Sequence, residues 1–294
     1  MRCGDVRRSL RIAASILGAC LLGSCASLPG ATVHSVAGKC VEFVVAGQVT
    51  PAVVFESGLG GTVDWWAKVV PEVATFDTGF AYNRPGYGHS DRASTPRDGD
   101  HIVDELRGVL REQGINPPYV LVGHSLGRLY MQLYARRYPR EVAALVLVDS
   151  THPQQFSGAG APENWPAWFR LLFGLATSDV AKQEFDLAPA TGQAMLALPP
   201  FEGKPVIVLS ALEPIWEASD LARDANAKRR DIALLHPGSQ QVWVDSGHGI
   251  PLEKPEAVIA AIRDVVIMSR AASGGRGGSA VSNHPSNDHP TATE

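Results

Sequence analysis

A serine lies between two glycines at the point where a predicted strand gives way to a predicted helix. The apolar run 119–122 leads into Gly123-His124-Ser125-Leu126-Gly127, and a helical pattern follows at once. Such a tight turn strains the backbone at the serine and requires small residues two positions before and after it. The turn exposes the hydroxyl near a helix N-terminus, where developing negative charge is favoured. These features predict that Ser125 is a nucleophile.

A serine hydroxyl is a poor nucleophile near neutral pH, so a general base must lie within hydrogen-bond reach of it. His248 is the candidate, because it follows the predicted strand 241–244 in a loop where Gly247 and Gly249 flank it. His124 adjoins the serine, but neighbouring side chains in a turn diverge, so its ring is expected to point elsewhere. The sequence therefore predicts His248 as the base.

The base needs a carboxylate that holds its tautomer and stabilises the imidazolium form. Asp149 closes the predicted strand 144–148, and Glu213 follows the predicted strand 206–209. Either residue gives the chain order serine, acid, histidine. The residues alone leave both carboxylates open.

Negative charge on a substrate oxygen must meet donors that are already in place. The glycine-rich segment 57–61 follows a predicted strand, so the backbone N–H of Leu59 is one candidate donor and that of Leu126 is the second. The same segment lacks the third glycine of a dinucleotide-binding loop at the required spacing. We therefore expect an oxyanion hole here and no nucleotide cofactor.

Short β-branched runs alternate with amphipathic stretches along the middle of the chain, which is typical of a mostly parallel, doubly wound α/β sheet with helices on both faces. The predicted helices include 101–113, 126–138 and 255–267, where apolar residues recur at helical spacing. The predicted strands are 41–45, 52–56, 80–83, 119–122, 144–148, 206–209 and 241–244. Residues 150–203 are rich in Pro, Trp and Phe and far exceed an ordinary connection, so we expect a helical cap insertion that supplies apolar walls to a pocket.

The chain from about 41 to 267 resembles the capped esterase, lipase and haloperoxidase-like group of α/β-hydrolases. The segments that carry the resemblance are 56–61, 83–90, 123–127, 147–149 and 246–248. The resemblance implies the α/β-hydrolase fold, Ser125 as nucleophile, His248 as base and then acid, and Leu59 with Leu126 as oxyanion donors. It also implies that the turn 84–90 is structural, not catalytic.

The resemblance does not decide the acid. The family more often uses the position of Glu213, but the loop that carries Glu213 is one residue shorter than usual, so we favour Asp149 slightly and keep both. Arg128 is a second departure, because relatives commonly have a small residue there. It is expected to be solvated, to pair with Glu56 or Asp149, or to bind an acidic substrate group, and we hypothesise that it distorts the turn at Ser125 and lowers activity.

The first 24 residues are predicted to be an export signal. Four arginines precede an apolar run that is too short to span a bilayer, and Leu22-Gly23-Ser24-Cys25 resembles a bacterial lipobox, with Cys25 as the lipidated N-terminus. Cys20 matches the pattern less well, and an ordinary secretory signal is the alternative. We expect a lipoprotein on the periplasmic side of a bacterial membrane, or a secreted protein.

The remaining boundaries follow from composition. Residues 25–38 are expected to be an N-terminal linker, 39–272 the hydrolase domain with its cap at about 150–203, and 273–294 a disordered tail of Gly, Ser, Asn and Pro. Lipidation of Cys25 would leave Cys40 without a partner in the mature chain, whereas an unlipidated Cys25 would allow a disulfide with Cys40.

The formal net charge is −4, and the sequence contains no long run of basic residues. Both observations argue against a nucleic-acid partner. We expect a serine hydrolase that cleaves a small carboxylic ester without a metal or organic cofactor, held to the membrane by its N-terminal lipid. An amidase or aminopeptidase would use the same residues, and a haloalkane dehalogenase would need an aspartate in place of Ser125. A non-catalytic binding protein with this fold is the rival from another class. The oligomeric state stays open.

Overall fold

Eight strands form one sheet at the centre of the protein. A computed structural model describes residues 28–150, 152–212 and 220–274. The strands are β1 Thr32–Val36, β2 Lys39–Ala46, β3 Ala52–Glu56, β4 Thr78–Tyr82, β5 Tyr119–Ser125, β6 Val142–Ser150, β7 Val206–Ala211 and β8 Gln240–Val244. The order is β1-β2-β4-β3-β5-β6-β7-β8, in which β1, β2 and β4 pair antiparallel and all other pairs are parallel.

Helices cover both faces of this sheet. They are α1 Val70–Val73, α2 Gly99–Glu112, α3 Leu126–Arg137, α4 Ala167–Ala176, α5 Asp179–Leu196, α6 Asp220–Asp231, α7 Ile250–Glu253 and α8 Pro255–Gly274. Short 3-10 turns lie at Val63–Trp66, Pro139–Glu141, Gly158–Gly160, Pro162–Asn164 and Ile232–Leu235. The predicted α/β fold class, all seven predicted strands and the three predicted helices are therefore confirmed.

The central strands are buried on both faces. In β5, Tyr119 and Leu121 join a core with α2 and α3, whereas Val120 and Val122 join a second core with α8 on the opposite face. A strand that buries both faces needs a continuous apolar run, and this is why β5 does not alternate with polar residues. The two cores fix the parallel strands side by side, so that their carboxyl ends lie together along one side of the sheet, which is called the sheet edge below.

Two features at the ends of the domain differ from the sequence prediction. The composition predicts a linker over residues 32–36, but they form β1, an edge strand in which the first four residues are exposed. Its mostly polar, exposed pattern gave no strand signal, and pairing with β2 determines it. At the other end, α8 continues to Gly274, two residues into the predicted tail. The rest of that tail, the predicted signal and Cys25 lie outside the described residues, while Cys40 is exposed in β2 and forms no disulfide with another described residue.

Two helices occupy the predicted cap interval. Helix α5 packs on α3, and α4 joins α5 through a cluster of aromatic rings. These rings pack against one another, and they are Phe156, Trp165, Phe169, Phe173 and Phe185. Three of these rings, those of Trp165, Phe173 and Phe185, line a cavity of about 240 Å³ between α4 and α5. Its lining also includes Arg170, Lys182 and Asp186. The predicted apolar walls thus form within the cap itself, where the rings pack against one another.

Candidate active site

Ser125 lies at the junction of β5 and α3 in a strained conformation. Its φ of 53° and ψ of −121° are unusual for a residue with a side chain. A Cβ on Gly123 would come 2.5 Å from the Cα of Arg128, and one on Gly127 would come 2.4 Å from the carbonyl oxygen of Ser57. Both glycines are needed because backbone occupies the space that a side chain would take.

His248 reaches the serine from the loop between β8 and α7. Its Nε2 lies 3.0 Å from the Oγ of Ser125. The carboxylate of Glu253 accepts hydrogen bonds from the backbone N–H of Gly247 and the hydroxyl of Ser246, at 3.0 and 2.8 Å, and so fixes the loop. The structure therefore brings together the predicted nucleophile and base, which are 123 residues apart in the sequence.

Asp149 completes a chain of hydrogen bonds with these two residues. At the end of β6 it is almost fully buried, and its Oδ2 lies 2.6 Å from the Nδ1 of His248. The backbone N–H of Ala211 donates to Oδ1 at 3.1 Å. With Nδ1 protonated by this arrangement, Nε2 of His248 is free to accept the serine proton. Of the two predicted acids the structure brings Asp149 to the histidine, and Glu213 lies outside the described residues.

Arg229 of α6 also binds the carboxylate of Asp149. Its Nε lies 3.1 Å from Oδ1 and its Nη2 lies 3.2 Å from Oδ2. Burial acts to raise the pKa of Asp149, but the hydrogen bond to His248 and the charges of His248 and Arg229 outweigh it and lower the pKa to about 2. Asp149 is therefore ionised at neutral pH. Sequence reasoning missed Arg229, because no motif or spacing links it to a residue 80 positions away.

The predicted oxyanion donors lie on two elements that meet at the serine. Leu126 is the first residue of α3, directly after Ser125, and Leu59 is in the loop that follows β3. Strands β3 and β5 are neighbours in the sheet, with Glu56 opposite Gly123. A Cβ on Gly58 would come 2.9 Å from the Cβ of Ser125, so this loop lies directly against the nucleophile.

The site has a strained serine between a strand and a helix, and its histidine and aspartate follow later strands. This arrangement agrees with the family to which the sequence is similar. The family model for the alpha/beta hydrolase fold matches residues 51–251, which is more than half of the chain. The chain belongs to the α/β-hydrolase fold family.

Individual relatives of this α/β-hydrolase are distant. It is 25% identical over 218 residues to the uncharacterized protein YqjL of Bacillus subtilis, a match that covers 72% of this chain and 82% of YqjL. It is 33% identical over 123 residues to a (lyso)-N-acylphosphatidylethanolamine lipase of Bos taurus, covering 40% of this chain and 36% of the lipase. Among solved structures, Cfl2 of Burkholderia cenocepacia superposes with a TM-score of 0.60 at 20% identity, over 80% of this chain and 94% of Cfl2, which supports the fold.

His124 supports the loop of His248 in this hydrolase, a role that the sequence prediction missed. The His124 ring lies 4.8 Å from that of His248 between centroids, and its Nε2 lies 2.9 Å from the carbonyl oxygen of His248, an acceptor that requires Nε2 to carry a proton. The ring stacks on Trp65 at 4.7 Å between centroids. Burial, with the nearby His248 adding to it, lowers the pKa of His124 to about 3, so the ring is neutral. A histidine beside the serine was the available signal, but its partner is known only from the fold.

Arg128 is fully buried in the first turn of α3, so the prediction of a solvated side chain is wrong. Burial lowers the pKa of its guanidinium well below the usual value, while Asp149 acts to raise it and Arg229 to lower it. The carboxylate of Glu56, one of the two predicted partners, is bound by Arg84 and Tyr82. With this buried arginine three residues away, Ser125 still has the strained conformation expected of this turn.

Neither a metal-binding cluster nor a membrane-spanning helix is present in the described part of the chain, residues 28–150, 152–212 and 220–274. No group of three or more His, Cys, Asp or Glu side chains there has the arrangement of a metal site. In the same residues, no helix combines the length and the apolar composition needed to span a membrane.

Proposed function

We propose that this α/β-hydrolase is a serine hydrolase that cleaves carboxylic esters through an acyl-enzyme intermediate. The observation that carries the proposal is the continuous hydrogen-bonded chain from Ser125 to His248 to Asp149, with distances of 3.0 and 2.6 Å. A nucleophile, a base and an orienting acid within hydrogen-bond reach of each other are what such catalysis requires.

Each residue has a defined role in the proposed reaction. The Oγ of Ser125 attacks the ester carbonyl carbon while Nε2 of His248 takes the hydroxyl proton. The N–H groups of Leu59 and Leu126 donate to the oxyanion of the tetrahedral intermediate. His248 then protonates the departing alcohol, and a water molecule that His248 activates releases the acyl group as a carboxylic acid. Asp149 stabilises the imidazolium at both stages, and the cycle uses no metal or organic cofactor.

An ester of a fatty or aromatic acid is the proposed substrate class. The aromatic side chains of the cap and the partial similarity to a bovine lipase both favour it. Similarity over 36% of the lipase does not extend that enzyme's own substrate to this chain. An amide or peptide substrate would use the same residues, and a binding protein without turnover is the competing function.

Labelling with a fluorophosphonate probe tests the proposal. The wild-type protein is expected to react at Ser125, and Ser125→Ala is expected to abolish labelling and to lower ester hydrolysis by at least about 10⁴-fold. Esters and amides with the same acyl groups then separate esterase from amidase activity, and a chelator should leave turnover unchanged. A folded wild-type protein that neither labels nor turns over any ester would favour the binding protein instead.

We also propose that the chain is exported and anchored by lipid at Cys25, on the periplasmic side of a bacterial membrane. The support is the lipobox-like segment 22–25 after a basic, apolar start. Metabolic labelling with a fatty acid should be lost in Cys25→Ser and retained in Cys20→Ser. Release of an unlabelled wild-type protein into the medium would instead indicate a secretory signal.

A further inference from the structure

Arg84 lies beneath the loop that carries Leu59, although the sequence indicated only a structural turn there. The residue follows β4 and is almost fully buried. Its Nη1 donates to the carbonyl oxygen of Ser57 at 2.7 Å, and its Nη2 donates to that of Gly58 at 2.9 Å. The backbone N–H of Gly61 also donates to the carbonyl of Gly58, at 3.2 Å. Arg84 therefore fixes the orientation of the two consecutive peptide groups that contain the carbonyls of Ser57 and Gly58.

The geometry of a trans peptide transmits this restraint to the candidate donor. The carbonyl of Gly58 and the N–H of Leu59 belong to one planar peptide unit and point in opposite directions. When Arg84 and Gly61 hold the carbonyl, the N–H of Leu59 must point away from the guanidinium. Gly58 lies against Ser125, where the Cβ of the serine leaves no room for a side chain.

Two buried carboxylates in turn hold the guanidinium. Glu56, at the end of β3, pairs with Nη1, and Glu184 of α5 accepts from Nε and Nη2 at 2.9 Å each. Both carboxylates are fully buried. Charge-assisted, bidentate pairing fixes both the position and the plane of a guanidinium more firmly than a single contact does.

Glu184 connects this arrangement to the cap. It also accepts a hydrogen bond from the hydroxyl of Tyr87 at 2.8 Å. On the same side, a Cβ on Gly86 would come 2.9 Å from Val180 of α5, so the cap helix lies directly on the turn that follows Arg84. The position of α5 is thus coupled through one arginine to the loop beside the nucleophile.

We propose that Arg84 is a positioning residue that aims the N–H of Leu59 at the substrate oxyanion, and that Glu184 of the cap holds Arg84 in place. The inference rests on the proposed esterase function and goes beyond it, because it assigns a catalytic consequence to a residue that does not touch substrate. Loss of Arg84 should then reduce the stabilisation of the transition state far more than it weakens substrate binding.

Paired oxygen and thiono esters of butyric acid report on this role. Sulfur is a weak hydrogen-bond acceptor, so a thiono ester gains little from the oxyanion donors and serves as an internal reference. In Arg84→Lys, we expect kcat for the oxygen ester to fall about 100-fold with little change in KM, while the thiono ester changes less than about threefold. A merely structural role would lower both substrates by the same factor.

Two variants complete the experiment. Arg97→Lys is the matched control, because Arg97 is buried in the same cluster and lies 3.6 Å from Glu184, but its contacts are with side chains and not with the 57–58 carbonyls. It should keep the wild-type ratio of oxygen to thiono ester rates. Glu184→Gln keeps the side-chain shape and is expected to lower that ratio about tenfold, which tests the idea even if Arg84→Lys does not fold.

The outcomes separate this inference from the proposed function. If the wild-type protein hydrolyses the oxygen ester and both Glu184→Gln and any folded Arg84→Lys keep its ratio, Arg84 does not aim the donor. If the wild-type protein hydrolyses neither ester and does not label at Ser125, the proposed function itself fails, and the inference fails with it.

Discussion

Gly127 and Gly174 both lie in helices, yet their surroundings are opposite. A Cβ on Gly127 would meet the backbone of Glu56 and Ser57 at 2.5 and 2.4 Å, whereas a Cβ on Gly174 of α4 would find nothing within 4 Å. At Gly127, backbone packs directly on backbone, while α4 has open space at Gly174 and leaves Leu171 and Leu175 exposed. The turn at Ser125 is therefore built where the chain tolerates no added atom, and the outer face of α4 is built where it tolerates one.

The largest expected effect lies at the sheet edge. Asp149→Asn should lower kcat about 10⁴-fold, because a neutral amide neither holds the required tautomer of His248 nor stabilises its imidazolium form. The measurement is ester hydrolysis by the purified protein, with Glu213→Gln as the matched change at the alternative acid. Glu213→Gln should stay near wild-type activity. The reverse pattern would show that Glu213 is the acid.

The contrast between the two glycines predicts opposite signs of stability change. Gly127→Ala should destabilise the fold by about 3 kcal/mol or more, because the added methyl group overlaps backbone that cannot move without shifting β3. Urea unfolding gives the free-energy change, and labelling of Ser125 reports the state of the turn. A decrease in the free energy of unfolding of less than about 1 kcal/mol would mean that the backbone around Gly127 adjusts to the added methyl group as readily as a surface helix does.

Acid should destabilise both regions, through histidines that are buried neutral. Burial, as the largest cause, lowers the pKa of His124 beside the nucleophile to about 3. It also lowers the pKa of His236, which contacts Gln132 of α3, to about 3 and that of His152, at the start of the cap interval, to about 4. Below pH 6.5 the unfolded chain takes up protons that the folded chain does not, so stability falls as the pH drops towards these values.

At pH 4.5, each histidine with a pKa of about 3 should cost about 2 to 3 kcal/mol relative to pH 7. Urea midpoints across this range measure the slope. His236→Gln should flatten it, since an amide does not titrate. A slope that stays the same in His236→Gln would contradict the assignment.

The smallest expected effect is a gain in the cap. Gly174→Ala should stabilise the protein by up to about 1 kcal/mol, because alanine reduces the freedom of the unfolded chain and meets open space in α4. Thermal unfolding measures the gain, and ester hydrolysis should not change. Destabilisation would mean that the α4 surface is covered in solution.

The parts of the site that could be predicted from sequence are those with local signatures. Ser125 has glycines at fixed offsets, and Asp149 and His248 each follow the end of a recognisable apolar strand. Parallel strands bring their carboxyl ends to one edge of a sheet, so three local motifs sufficed to predict one location. The fold class followed from the same alternation of strands and helices.

The parts that could not be predicted depend on partners chosen in three dimensions. Arg229 reaches Asp149 from α6, Arg84 reaches the loop of Leu59 from the turn after β4, and His124 supports the far side of the His248 loop. None of these pairings produces a periodic pattern in the sequence, because each depends on how helices and turns pack against one another. The edge strand β1 was missed for a related reason, since pairing and not burial defines it.

The contacts of α5 have a consequence for how substrate reaches Ser125. Swinging this helix outward would pull Glu184 from Arg84 and expose a charged pair that is now fully dry. It would also uncover α3, which is buried on all sides and whose Arg136 donates to the carbonyls of Met195 and Leu198. We therefore expect α5 to keep its position when substrate enters. Any segment that moves to admit substrate should be one without buried ion pairs or hydrogen bonds of this kind.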